Sequence, residues 1–332
     1  MTIKEIAQIA NVSRTTVSRV LNNKWDVNEE TRQKVLDVIK QFNYYPSIHA
    51  KRNILKKINI IGLVLINSLE NVFISALNSE IIKGLLTKAT ELGFDITICS
   101  NTTTENLVSM YLEKRFDGYI ILNPNNMSIE MLRTLKNKGI PFVATSFCGE
   151  KDEFNSVDID NTEAGYLAAD YLIANCHKDI ALITGPEYLS ATHLRLTGCM
   201  QRLRKQNIVM PKEYIRKGSN TMESGYYCMK ELLELSNRPT AIFAFNDYMA
   251  FGAMRAIKEH GLKVAEDISI IGFDDVMPAN FIDQPLTTMR QSGYLRGYKA
   301  CANLISILNG GDVLKTEYVN HEIIVRSTVK SL

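Results

Sequence analysis

The chain of 332 residues is 45% hydrophobic and 22% charged; these values suit two or three globular domains and exclude a disordered, collagen-like or small disulfide-stapled protein. Its longest apolar run, 58–66, is far below the ~20 residues of a membrane span, and residues 1–5 carry neither an h-region nor a cleavage site, so the expected address is the cytoplasm. The net charge of +2 is uneven: residues 1–60 hold eleven basic side chains and five acidic ones, an excess of +6 against −4 over the remainder, and a basic head on a mildly acidic body suits contact with a polyanion.

In chain order, Thr2 and Glu5 have capping-box spacing ahead of the apolar face Ile6, Ala7 and Ala10, which predicts a first helix. Asn11 tolerates the left-handed turn that ends it, and Ser13 is placed to cap a second helix over 14–22. That helix turns Val17, Val20 and Leu21 inward and Arg14, Thr15, Thr16, Ser18 and Arg19 outward. Asn28 caps a third helix through about residue 42, with Val35, Val38, Ile39 and Phe42 as its inner face. Two short helices on a tight turn make a helix-turn-helix. Arg14 and Thr15 then sit at the helix N-terminus, where a recognition helix meets base edges. Arginine can bind guanine O6 and N7 bidentately, and threonine can pair to a base or touch a thymine methyl. Thr16 and Ser18 suit phosphate contacts. The competing reading is an ordinary polar helix face, and the charge asymmetry argues against it.

The run Thr2-Ile3-Lys4-Glu5-Ile6-Ala7 through Val12-Ser13-Arg14-Thr15-Thr16-Val17-Ser18-Arg19-Val20-Leu21-Asn22 resembles the DNA-binding head of the lactose/galactose repressor family. Phe42-Asn43-Tyr44-Tyr45-Pro46-Ser47 is similar to that family's step into its hinge. The resemblance continues through Ile61-Gly62-Leu63-Val64, Asp117-Gly118-Tyr119-Ile120, Asp160-Asn161-Thr162-Glu163-Ala164-Gly165, Asn246-Asp247-Tyr248-Met249-Ala250, Ile271-Gly272-Phe273-Asp274-Asp275 and Pro285-Leu286-Thr287-Thr288. Motifs in family order are far more specific together than singly. The family's hinge has an alanine four residues after its proline and usually a leucine seven after, which wedges into the minor groove. Here the frame from Pro46 gives Ala50 and then Asn53, followed by Ile54. Asn53 can hydrogen-bond minor-groove base edges, and Ile54, about 100° further round a helix, supplies a wedge only if the hinge helix rolls or starts one residue later. Lys51, Arg52, Lys56 and Lys57 would grip phosphates. The candidate DNA-facing set is Thr2, Ser13, Arg14, Thr15, Thr16, Ser18, Arg19 and Asn22 in the head, with Ala50, Asn53 and Ile54 in the hinge.

The body reads as alternating elements: strand 58–66, helix 76–92 with Ile81, Ile82, Leu85, Leu86 and Ala89 inward, strand 94–99, helix 104–115, strand 119–122, helix 128–138 and strand 140–145. After Asp160 it restarts with helix 162–175, strand 179–184, helices 191–206 and 223–236, strand 240–245, helix 247–260 and strand 268–273. Such alternation implies parallel sheets covered on both faces, and two runs imply two lobes. The expected fold is therefore an N-terminal all-α helix-turn-helix head with a hinge, followed by a two-lobed α/β effector domain of the periplasmic-binding-protein type with doubly wound sheets. The expected boundaries are 1–45 for the head, 46–57 for the hinge and 58–332 for the effector domain. Its N-lobe takes about 58–160 plus 291–320, and its C-lobe about 161–290 plus 321–332.

Parallel sheets bind ligands beyond the carboxyl ends of their strands, which selects the candidate effector residues. Phe73, in the loop after the first strand, reads equally as a stacking platform and as a core aromatic. Arg195, in an Arg195-Leu196-Thr197-Gly198 element similar to the family's R-x-x-G, offers a fork of donors to ligand oxygens or is an exposed helical arginine. Asp274 follows a strand directly and either accepts from hydroxyls or caps a turn. Asp247 is placed as an N-cap, with Asn246 beside it. Asn220 stands where relatives often carry an aromatic, and Asn161 is carried by its matching turn.

The chain has no GxGxxG, GxxxxGK[ST], GxSxG or HExxH motif, and His49, His177, His193, His260 and His321 lack a paired nucleophile, so an enzyme is not expected. Cys99, Cys148, Cys176, Cys199, Cys228 and Cys301 form no CxxC or CxH pair, so no metal or other cofactor is expected. A free-standing sugar-binding protein of the periplasmic type would match the body but not the basic head. The resemblance implies a homodimer on pseudo-palindromic double-stranded DNA, controlled by a small molecule, most often a carbohydrate, in the cleft.

Overall fold

The computed structural model describes residues 2–21, 24–42, 58–66, 72, 75–150 and 152–332. The chain divides into two compact units, Met1–Ile58 and Asn59–Leu332. Asn22, Ala50, Asn53, Ile54 and Phe73, and with them the hinge expectations, lie outside the described residues.

The first unit contains α1 (Ile3–Ile9), α2 (Arg14–Leu21) and α3 (Glu29–Gln41). Thr2 and Glu5 close the capping box in both directions: the Glu5 amide donates to the Thr2 hydroxyl at 3.3 Å, and the Thr2 amide to the Glu5 carboxylate at 2.7 Å. Asn11 adopts the left-handed conformation, φ 51°. Ser13 caps α2 by accepting from the Thr16 amide at 3.0 Å. Ile6, Ala7, Ala10, Val17, Val20, Val35 and Val38 form the core. Phe42 departs from expectation: it is the C-cap of α3 and lies 42% exposed, because the helix ends before its side chain can turn inward.

The second unit carries two sheets. In the first the order is β11-β5-β4-β3-β1-β2, with β1 Ile60–Leu65, β2 Asp95–Ser100, β3 Gly118–Leu122, β4 Phe142–Ala144, β5 Ser156–Asp158 and β11 Thr316–Tyr318, all parallel. In the second the order is β12-β10-β9-β8-β6-β7, with β6 Ile180–Thr184, β7 Ile215–Lys217, β8 Ala241–Ala244, β9 Ser269–Asp274, β10 Thr287–Gln291 and β12 His321–Ile324; β12 alone runs antiparallel among the described strands. The buried runs Ile61, Leu63, Val64, Leu65 and Ile180 to Ile183 are apolar on both sheet faces, as helix-covered parallel strands require. Three segments cross between the sheets: 159–179, 292–315 and 319–320.

Helices cover both sheets: α4 Ala76–Glu91, α5 Thr104–Leu112, α6 Ile129–Asn137 and α11 Gly293–Leu308 on the first, and α7 Asn161–Ala174, α8 Ser190–Lys205, α9 Met222–Leu233 and α10 Asp247–Glu259 on the second. Helices α4 and α11 meet at glycines: a Cβ added at Gly84 would run into the Tyr294 carbonyl oxygen, and one at Gly297 into that of Ile81. This close approach selects Asn78, Ile81, Leu85 and Ala89 as the buried face of α4. Leu86, expected to point inward, is 46% exposed, and Ile82 is only partly buried, because both lie on the side turned away from α11.

Candidate functional site

The carboxyl ends of the two sheets face each other. Residues that end a strand or follow one within two positions (Asn123, Thr145, Asp158, Phe245, Asn246, Asp274 and Gln291) converge there with two buried arginines.

Arg195 lies on α8, which packs on α7 through glycines: a Cβ at Gly165 would strike the Arg195 backbone, and one at Gly198 the Thr162 carbonyl. The approach seats the guanidinium 3.4 Å over the Phe273 ring. Its Nε donates to Asn161 Oδ1 at 2.9 Å and one terminal nitrogen to the Phe245 carbonyl at 2.6 Å. A planar fork held on a ring face, with two donors already placed, is preorganised for oxygen acceptors. Burial pulls its pKa down to about 10, against the opposing pull of Asp274 and Asp158; it stays charged at neutral pH.

Asp274 ends β9 with φ 115°, and Asp275 follows at φ 57°. Side chains rarely adopt such conformations, which cost about 1–3 kcal/mol each and concentrate at ligand sites. They are held by Asp275, whose carboxylate binds Arg326 at 2.6 Å and Arg290 at 2.7 Å. The Asp274 carboxyl accepts from Gln291 Nε2 at 2.5 Å. Burial pushes its pKa up to about 6, offset in part by the Arg195 and Arg296 charges and the Gln291 hydrogen bond.

Gln291 in turn accepts from Arg296 at 2.8 Å. Arg296, on α11, also donates to the Thr145 carbonyl, to Asn123 Oδ1 at 3.2 Å, and pairs with Asp158 at 3.5 Å. Asn161, at the start of α7, closes the circuit by donating to Asp158 at 3.3 Å. Hydrogen bonds therefore run between the lobes through buried side chains, where low dielectric strengthens them and makes an unpaired member costly. The Asn126 amide reaches the Tyr188 carbonyl at 3.1 Å, a further link from lobe to lobe.

Asn161, Arg195 and Asp274 are thus brought together. Asn246 and Asn220 form an adjoining pair: Asn246 Nδ2 donates to the Asn220 carbonyl at 3.0 Å, with Asn220 at φ 65°. The capping assignment is corrected, since Asn246 rather than Asp247 caps α10, accepting from the Met249 amide at 2.8 Å. Asp247 is fully buried, one oxygen held by the Thr288 hydroxyl at 2.6 Å and the other by the Val276 amide at 2.9 Å. Thr288 sits on β10 within reach, so Asp247 becomes an internal strut instead of a cap or a ligand contact. Burial and the neighbouring Asp274 raise its pKa well above the ordinary value. His193 is exposed and bonds the Glu187 carbonyl at 2.7 Å. Asn123, Thr145, Asp158, Gln291 and Arg296 were not expected. Their position at strand carboxyl ends was the available signal for four of them.

In the first unit, Arg14 and Thr15 are exposed at the start of α2. The Ser13 and Thr16 hydroxyls bond each other at 2.8 Å, so both serve the cap and remain at the helix N-terminus. Ser18 is partly buried, Thr2 is exposed, and Arg19 pairs with Asp26 at 3.3 Å.

Residues 2–47 match the model for bacterial regulatory proteins of the lacI family, and residues 59–327 that for periplasmic binding proteins and the sugar binding domain of the LacI family. The chain is 34% identical to a probable HTH-type transcriptional repressor, ExuR, of Bacillus subtilis (strain 168), covering 100% of this chain and 99% of that one. It is 35% identical to the HTH-type transcriptional repressor CytR of Escherichia coli (strain K12), covering 100% and 97%. The lac repressor dimer bound to operator and the anti-inducer ONPF superposes with a TM-score of 0.87 at 29% identity, over 99% of each chain.

Proposed function

The chain belongs to the LacI family of bacterial regulatory proteins, and on that premise we propose that it is a cytoplasmic repressor whose operator affinity is set by a sugar or sugar derivative held between its two lobes. The observation that carries this reading is the lobe-to-lobe circuit Arg195–Asn161–Asp158–Arg296–Gln291–Asp274. A polyhydroxyl ligand suits it: Asp274 and Asn246 offer acceptors, Arg195 a donor fork, and the Phe273 ring backs the guanidinium. A ligand that engages the lobes differently in two arrangements shifts the balance between them, and the coupling to DNA is reciprocal.

The head reads one half-site with Arg14 and Thr15, so two copies act together on a pseudo-palindrome. The outer face of α4, where Ile82, Leu86, Thr87 and Thr90 line an open groove, supports a second copy of the chain as its cover. The boundaries 1–45, 46–57 and 58–332 assign reading, hinge and effector control to separate segments. Within the hinge, Lys51, Arg52, Lys56 and Lys57 neutralise phosphates and Ile54 supplies the minor-groove wedge.

The test is a selection of DNA duplexes from a random pool by the full chain, followed by a thermal-shift screen of sugars and sugar phosphates. Hits are then titrated into the protein–duplex complex. The expected result is one enriched palindromic duplex whose affinity changes with one class of sugar, a response that Arg195→Ala or Asp274→Ala abolishes while duplex binding persists. An unenriched pool, or both variants responding normally, overturns the reading.

A further inference from the structure

Trp25 is the chain's single tryptophan, and it lies 92% exposed in the turn between α2 and α3. The described residues around it are tied down. The Lys24 amide donates to the Arg19 carbonyl at 3.0 Å, and the Lys24 carbonyl accepts from Arg32 at 2.5 Å. Asp26 pairs with Arg19 at 3.3 Å. Val27 packs on the core of the unit, and Asn28 caps α3 through the Thr31 amide at 2.8 Å. Residues 24–28 are held by these contacts, and the indole between them stands out in solvent.

An exposed indole offers a large apolar face and one N–H donor to a partner, the combination that enriches tryptophan at interfaces. Three observations identify that partner. Trp25 belongs to the basic part of the chain, with an excess of +6 over residues 1–60. Its neighbour Asp26 is bound to Arg19, which belongs to the outward set of α2. The acidic group next in sequence is thereby neutralised, and Trp25 belongs to the turn that follows α2, the helix that carries Arg14 and Thr15.

We propose that Trp25 packs its indole on the deoxyribose–phosphate backbone of duplex DNA at the edge of each half-site, with Nε1–H donating to a phosphate oxygen. The contact rests on the DNA-binding reading above and adds to it an apolar anchor that carries no ionic charge. An aromatic ring on a sugar is sequence-tolerant, so it fixes the head's position without reading bases.

The experiment uses the full chain and the duplex recovered by selection. Because Trp25 is the only indole, its emission reports this contact alone. The expected result is an emission change that saturates with duplex at the stoichiometry seen by mobility shift. Trp25→Ala should weaken duplex binding about tenfold, by the same factor at each salt concentration, since no counterion is released at an indole. Lys24→Ala, as a comparison, should flatten the salt dependence. Thermal unfolding of Trp25→Ala should match the parent, as expected for an exposed side chain. Unchanged emission on a saturated duplex overturns the proposal, as does unaltered affinity of Trp25→Ala. So does emission that depends on protein concentration without DNA, which would assign the ring to a second copy. Failure to enrich any duplex is a different result: it removes the DNA-binding reading itself.

Discussion

Asp274 and Arg296 stand on opposite lobes and are joined by one side chain: Gln291 donates to the Asp274 carboxyl at 2.5 Å and accepts from the Arg296 guanidinium at 2.8 Å. Gln291 ends β10, the last strand before the chain returns to the first lobe at α11. Its amide is a second polar link between a candidate ligand contact and the other lobe, beside the direct bond from Asn161 to Asp158.

Replacing Gln291 by leucine removes both bonds and leaves a buried carboxyl and a buried guanidinium each short of a partner. The expected loss of folding stability is about 1–3 kcal/mol, read by denaturant unfolding. The response of duplex affinity to sugar should vanish while duplex affinity without sugar is kept. A variant that still responds at full amplitude would show that the lobes communicate without this link.

Asp274 also predicts a pH dependence. Its carboxyl is raised from 3.8 to about 6 by burial, so between those values the folded chain holds a proton that the unfolded chain releases. Stability therefore falls as pH rises through that window, and the loss is complete above about 6. Asp274→Asn stays neutral and escapes this loss, and it also relieves Asp247, whose carboxyl Asp274 pushes upward. The unfolding free energy of the variant minus that of the parent should grow from pH 4 to pH 6.5 and then level off. A constant difference across that range contradicts the assignment. Sugar affinity of the parent should fall as pH drops through about 6, where the carboxylate gains a proton and loses its acceptor.

These residues differ in how legible they were. Thr2 and Glu5, Asn11 and Ser13 carry local signals, and caps form within a few residues of the chain, so they were read correctly. Arg195 and Asp274 could be placed because one lies in an element similar to the family's R-x-x-G and the other directly follows an apolar run read as a strand. Arg296 could not. It is one of two charges, with Lys299, on an amphipathic helix, and its partners Asn123, Thr145 and Asp158 are remote in sequence. Strands β5, β7 and β11 have three residues each, too few for periodicity to register. Asn246 and Asp247 are both good caps, and the choice between them was made by Thr288, a tertiary neighbour no local rule can see.

Gly84 and Gly297 test the packing that shapes α4. Gly84→Ala places a Cβ into the Tyr294 carbonyl, forcing the helices apart. The expected destabilisation is about 1–3 kcal/mol, read by denaturant unfolding. Once the helices have separated, a second methyl at Gly297 meets less resistance, so the double variant should lose less than the sum of the two single ones. Strict additivity would mean that the two glycines do not share one interface. The shift also displaces Leu86 and the groove beside it, so sedimentation of Gly84→Ala should show weakened self-association if that face holds the second copy.

Arg14 tests the division of labour in the head. It is exposed at the first position of α2, whereas Arg19 is already engaged by Asp26. A bidentate arginine–guanine contact is worth about 1–3 kcal/mol of discrimination. Arg14→Ala should therefore relax the preference at one base pair in each half-site and leave the other positions intact, which a repeat of the duplex selection would reveal directly. Arg19→Ala should instead weaken all duplexes alike and reduce the salt dependence by about one unit of slope. A uniform loss for Arg14→Ala would make it a phosphate contact and move base reading to Thr15 and its neighbours.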